Sequence, residues 1–68
     1  MTTLDLVDDA LDAYRGTALD GVLLGYMQWA RFCAEKGADP TRERIEHRGV
    51  AILKSPTMVT GASYLLRA

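Results

Sequence analysis

The chain carries one cysteine and one histidine among its 68 residues. A lone Cys33 cannot close an internal disulfide, and with a lone His47 it cannot complete a zinc site, so the sequence reads as a reduced, cytoplasmic protein. No apolar run approaches the roughly 18 residues of a membrane span, and the first residues are rich in aspartate rather than basic. A span, a lipid-facing anchor and a signal peptide are therefore not expected, and the chain reads as a complete small protein. Also missing are a glycine-rich phosphate loop after a strand, a pair of buried carboxylates and a nucleophile–base–acid set. So short a chain also has little room for a substrate cavity. The expectation is a protein that is not an enzyme, with no cofactor, no metal and no small-molecule substrate.

A dominant charge is missing as well. The net charge is −1, laid out unevenly. Residues 1–34 hold Asp5, Asp8, Asp9, Asp12 and Asp20 against Arg15 and Arg31, a balance of −3. Residues 35–68 hold Glu35, Asp39, Glu43 and Glu46 against Lys36, Arg42, Arg44, Arg48, Lys54 and Arg67, a balance of +2. Neither half names a partner by itself. Arginine outnumbers lysine six to two, a bias that fits a GC-rich bacterial or phage source.

What is present is apolar periodicity. On a wheel of about 100° per residue, Leu19, Val22, Leu23, Tyr26, Met27, Trp29, Ala30, Cys33 and Ala34 fall within an arc of about 160°. The unbroken Val22-Leu23-Leu24 departs from strand alternation, so residues 18–36 are predicted as one amphipathic helix with Trp29 and Cys33 in its core face. Ahead of it, Leu4, Val7, Ala10, Leu11 and Tyr14 predict a first helix capped by Thr2 or Thr3 with Asp5 in its first turn, ended by Gly16, with Thr17 opening the next helix. Gly37 ends helix two, and Asp39-Pro40 opens a third helix through Arg48 that has Ile45 as its one large apolar residue. Residues 50–54 read as an extended connection, since Ser55-Pro56 disfavours helix, with a continuous helix from Pro40 to Lys54 as the alternative. Met58, Val59, Ala62, Leu65 and Leu66 suggest a fourth helix. The predicted fold is therefore all-α, a single domain over residues 1–68 in which about four short helices pack around residues 18–36.

Two candidate surfaces follow. Glycine costs about 1 kcal/mol relative to alanine inside a helix, so Gly21 and Gly25 point to a close approach. Together with Leu24, Gln28 and Phe32 they outline a second apolar strip, covered either by another helix of the chain or by a partner or second copy. Asp5, Asp8, Asp9 and Asp12 share the outer side of helix one, as a solvated face or as a dock for a basic partner. Asp39, Glu43 and His47, four residues apart on the predicted third helix, could touch one metal ion, but Asp39 serves better as an N-cap.

The leading functional expectation is a small non-enzymatic interaction or regulatory protein that binds a macromolecular partner or forms a homodimer through helix two. The rival is a helical DNA-binding module, resembling a helix-turn-helix, with Arg42, Arg44 and Arg48 as its basic residues. The layout Tyr26, Trp29, Phe32-Cys33, Gly37, Asp39-Pro40, Ser55-Pro56-Thr57 and Leu65-Leu66 loosely resembles the helical core-binding domain of tyrosine recombinases. The basic first half that such a domain would imply is replaced here by an acidic one.

Overall fold

The computed structural model describes residues 2–15 and 19–66. Helix α1, Thr3–Ala13, begins in a capping box: the Asp5 N–H donates to Thr2 Oγ1 at 3.0 Å, and the Thr2 N–H donates to Asp5 Oδ2 at 3.3 Å. Strand β1, Leu19–Leu24, follows, and Gly25 turns it directly into helix α2, Tyr26–Lys36. Gly37, at φ 74°, ends α2 in the left-handed conformation. The elements that follow among the described residues are strands: β2, Arg44–His47, β3, Val50–Lys54, and β4, Ala62–Leu66. The strands form one sheet in the order β2-β3-β1-β4. β1 runs parallel to β3, with Val22 beside Ile52, and the outer strands β2 and β4 pair antiparallel to their neighbours.

Both helices lie on the same face of this sheet. Val22 and Leu24 from β1 and Ile52 from β3 meet Val7 and Leu11 of α1 and Trp29, Phe32 and Cys33 of α2 in one buried cluster. Trp29 is 1% exposed, and its indole N–H is satisfied by the Pro40 carbonyl at 3.0 Å. Among the described residues the other face carries no helix. A Cβ built on Gly21 would stand 3.8 Å from the Ala51 Cβ and 3.7 Å from Leu53 Cδ1, which places these residues side by side on the open face.

The architecture corrects the all-α prediction: two helices and a four-stranded mixed sheet stand where a bundle of four helices was expected. Residues 18–36 are not one helix. The apolar run Val22-Leu23-Leu24 belongs to a central strand apolar on both faces, which erases the alternation used to recognise strands. Gly25 is the boundary, and the glycines that were costly for a helix sit in a strand and at a turn. The predicted third helix is a turn and β2. Its signal is the alternation of exposed Arg44 and Glu46 with half-buried Ile45 and His47, in which the histidine acts as an inward residue. Arg48 and Gly49, at φ 55° and 77°, form the two-residue hairpin turn between β2 and β3, so Gly49 is a hairpin glycine and not a helix stop. The predicted fourth helix is a loop followed by β4. With strands at these positions, neither a helix-turn-helix nor the all-helical layout of a recombinase core-binding domain is present among the described residues. The extended reading of residues 50–54 agrees with β3, and the Thr2 cap of the first helix is found. Gly16 and Thr17, expected to end helix one and open helix two, lie outside the described residues. No helix among those residues is long and apolar enough to cross a membrane.

Candidate functional site

Parallel strands with a crossover helix usually offer a ligand site at their carboxyl ends, where the first N–H groups of the helix are unpaired. Here that position is filled by residues 56–61. The Met58 and Val59 carbonyls accept the Tyr26 and Met27 N–H groups at 2.9 Å each. Gly25 has room for this loop because it lacks a side chain: a Cβ there would meet the Thr60 backbone at 2.7 Å. Ser55 is buried, and its Oγ accepts the N–H groups of Met58 at 2.9 Å and Thr57 at 3.3 Å, which fixes the loop. Beside it an open cleft of about 500 Å³ is lined by Tyr26, Glu43, Lys54 and the Ser55–Val59 segment, with Lys54 Nζ 5.5 Å from the centre of the Tyr26 ring.

A second polar cluster joins α1 to the β2–β3 hairpin. The Lys36 ammonium, 2.7 Å from His47 Nδ1, has only protons to give, so Nδ1 accepts and Nε2–H donates to Asp8 Oδ1, also at 2.7 Å. Phe32 meets the imidazole edge-on at 5.6 Å. Arg48 bonds Asp12 Oδ1 at 2.7 Å and reaches both the carbonyl and the carboxylate of Asp8 at 3.3 Å. The hydrogen bond from His47, reinforced by Arg48, holds the Asp8 carboxyl below its ordinary pKa, and Arg48 does the same for Asp12. This cluster fastens the helix to the hairpin, and both nitrogens of the imidazole are committed to it.

The predicted site residues are dispersed. Gly21 faces Ala51 and Leu53 on the open side of the sheet, while Leu24 and Phe32 are buried on the helix side at 2% and 0% exposure. Gly25 lies under Thr60, and Gln28 Oε1 accepts the Gly61 N–H at 2.9 Å. The five therefore form no shared exposed strip; the close approach that the glycines signalled is made by the chain's own loop and strand. Of the acidic stripe, Asp5 is spent in the capping box, Asp8 and Asp12 hold the hairpin, and Asp9 is exposed. Arg42 and Arg44 line a shallow depression with Glu46, whereas Arg48 turns to α1, so the three arginines share no face. Asp39 accepts the N–H and hydroxyl of Thr41 at 2.9 and 2.7 Å in a turn. Among the described residues no group of three or more His, Cys, Asp and Glu could hold a metal ion. Burial raises the Cys33 thiol pKa and keeps it protonated.

What the sequence reading missed is β4. It ends the sheet, and Ala62, Ser63, Tyr64, Leu65 and Leu66 are all exposed and uncharged. Two bonds fix its phase. The Gly25 N–H donates to the Gly61 carbonyl, and the Leu24 carbonyl turns the other way to accept the Ser55 N–H, both at 2.8 Å. Alternation along the ladder then makes Ser63 and Leu65 the residues that bond inward to Leu23 and Gly21. The backbone N–H and C=O groups of Ala62, Tyr64 and Leu66 project from the outer edge. The opposite edge, β2, is shorter and carries Arg44 and Glu46, the usual guard against stray pairing. Above Ala62, between α1 and β4, lies an apolar groove of about 230 Å³ with Leu6 and Tyr64 on its walls and Leu24 in its floor. Leu6 is 53% exposed and Leu66 54%. The signal available in the sequence was the Gly-Ala-Ser-Tyr-Leu-Leu run after a proline-containing loop, five strand-compatible uncharged residues following a glycine.

Compared with protein-family models, curated proteins and solved structures, the chain has no match in any of the three.

Proposed function

We propose that this protein is a non-enzymatic interaction module that receives an extended segment of a partner along the outer edge of β4. The observation that carries the reading is that edge: three residues, Ala62, Tyr64 and Leu66, aim backbone groups that are unpaired among the described residues outward beside an apolar groove. Strand addition of this kind draws affinity from main-chain hydrogen bonds and selectivity from pockets that take every second side chain. The groove over Ala62 is such a pocket, and its uncharged walls favour an aliphatic side chain. A nucleic-acid role finds less support, since Arg48 is held by Asp8 and Asp12 and Arg44 lies beside Glu46.

The test is titration of the isotope-labelled full chain with an uncharged extended peptide, acetyl-Thr-Val-Thr-Val-Thr-amide, followed by NMR. The reading expects shifts at the Ala62, Tyr64 and Leu66 amides and at the Leu6 methyls. No shift at these positions, or shifts confined to the cleft near Lys54, would overturn it.

A further inference from the structure

We infer that the segment received by β4 is β4 of a second copy, paired antiparallel about a two-fold axis through Tyr64. This rests on the edge-strand reading above and names its partner. A two-fold pairing of one strand with itself closes on two copies, whereas a head-to-tail pairing of edges would propagate.

The register follows from the phase of the edge. Within β4, among the described residues, Ala62, Tyr64 and Leu66 present the outward backbone groups, so a productive pairing sets these residues against each other. With the axis at Tyr64, Tyr64 faces its mate and Ala62 faces Leu66 at both ends. All three outward residues then exchange bonds in both directions, as residue pairs of this kind do in an antiparallel ladder. Sliding by two residues leaves at least one of them without a partner among the described residues of β4. Sliding by one sets outward groups against inward ones.

Side-chain sizes agree with the same register. Ala62, Tyr64 and Leu66 alternate onto the helix side, opposite Leu24, Val22 and Leu19 of β1. Pairing therefore brings the large, exposed Leu66 of each copy beside the small Ala62 of the other, at the mouth of the groove walled by Leu6. On the open side Leu65 stands beside Ser63, again large against small. The Tyr64 ring leans on Tyr14, the C-cap of α1, with 5.2 Å between centroids, so its side chain is directed toward that end of the helix. Five residues of strand edge bury less than the roughly 1,200 Å² of a stable interface, so the association is reversible and depends on concentration.

Sedimentation equilibrium of the full chain from about 10 µM to about 1 mM, within the range where weak complexes dissociate, tests this together with isotope-filtered NMR on mixed labelled and unlabelled protein. The expected result is a monomer–dimer equilibrium with contacts between Leu66 methyls of one copy and the Ala62 methyl of the other. Ala62→Leu sets leucine against leucine and weakens the dimer about tenfold or more. Adding Leu66→Ala restores it by exchanging the two sizes. Leu66→Lys, at an exposed position, keeps the thermal melt and abolishes the dimer, and it decides the matter should Ala62→Leu fail to fold. A dimer without the Leu66–Ala62 contact, or one unaffected by Leu66→Lys, overturns the inference. A protein that stays monomeric yet shifts at Ala62, Tyr64 and Leu66 with the threonine–valine peptide overturns the dimer and leaves the edge reading standing. One that stays monomeric and ignores the peptide overturns both.

Discussion

Gly25 and Thr60 approach so closely that a Cβ on the glycine would sit 2.7 Å from the Thr60 Cα and carbonyl carbon. This contact lets one short loop cap the start of α2 and lead into β4: the Met58 and Val59 carbonyls accept the first N–H groups of the helix, and two residues later the Gly61 carbonyl accepts the Gly25 N–H and the edge strand begins. Gly25→Ala must push backbone against backbone, so it should destabilise the protein by about 2 kcal/mol or more. It should also free residues 56–61, which would show as faster amide exchange at Tyr26 and Met27. A melt unchanged from the parent protein would contradict the contact.

Leu23 and Leu24 separate the sheet from the helical bundle expected from periodicity. In the structure Leu24 is buried beneath the helices and Leu23 is half-buried on the open face. Leu24→Ala should cost about 2–5 kcal/mol, and Leu24→Glu should abolish folding. Leu23→Glu should keep a folded protein with a mixed helix and sheet spectrum by circular dichroism. The single-helix reading of residues 18–36 predicts the reverse, with Leu23 in the core and Leu24 outside it.

That contrast shows what the residues disclosed and what they hid. Helix α1 was legible because Thr2 and Asp5 form a local cap and Val7 and Leu11 recur at helical spacing, all within one segment. The burial of Trp29 and Cys33 was legible too, but Tyr26, Met27, Ala30 and Ala34 of the same predicted arc are exposed and Phe32, assigned to the second strip, is buried. The helix starts only at Tyr26 and turns a different face to the sheet. β1 was not legible, because a central strand apolar on both faces carries no period of its own and merges with the helix after Gly25. β2 was hidden because His47 packs inward on Phe32 although it is counted as polar. The edge of β4 depends on which strand pairs with which, a long-range relationship that no local pattern encodes.

The clasp between α1 and the hairpin predicts how the protein responds to acid. Asp8 and Asp12 titrate below the ordinary 3.8 in the folded chain, the first chiefly through its hydrogen bond from His47 and the second through Arg48. Because folding lowers these values, the stabilisation is complete above about pH 4 and is lost as pH falls through the folded values. Asp8→Asn with Asp12→Asn should lower the melting temperature at neutral pH and flatten its fall below about pH 4. An acid limb as steep as that of the parent protein would contradict the assignment.

Arg48 tests the same clasp from the other side. It sits at φ 55°, where side chains are rare, and holds both aspartates. Arg48→Gly relaxes the turn and removes the ion pairs, whereas Arg48→Val removes the pairs and worsens the turn. Comparison of their melts should show Arg48→Val as the less stable of the two. Equal melts would mean that the turn conformation carries no cost.

The most direct measurement of the central claim is residue-resolved amide exchange along β4 at low and high protein concentration. Ser63 and Leu65 should be protected throughout, because they bond inward to β1. Ala62, Tyr64 and Leu66 should exchange freely in dilute solution and gain protection as concentration rises. Protection of Ala62, Tyr64 and Leu66 in dilute solution, or exchange at these three that never changes with concentration or added extended peptide, would contradict the account.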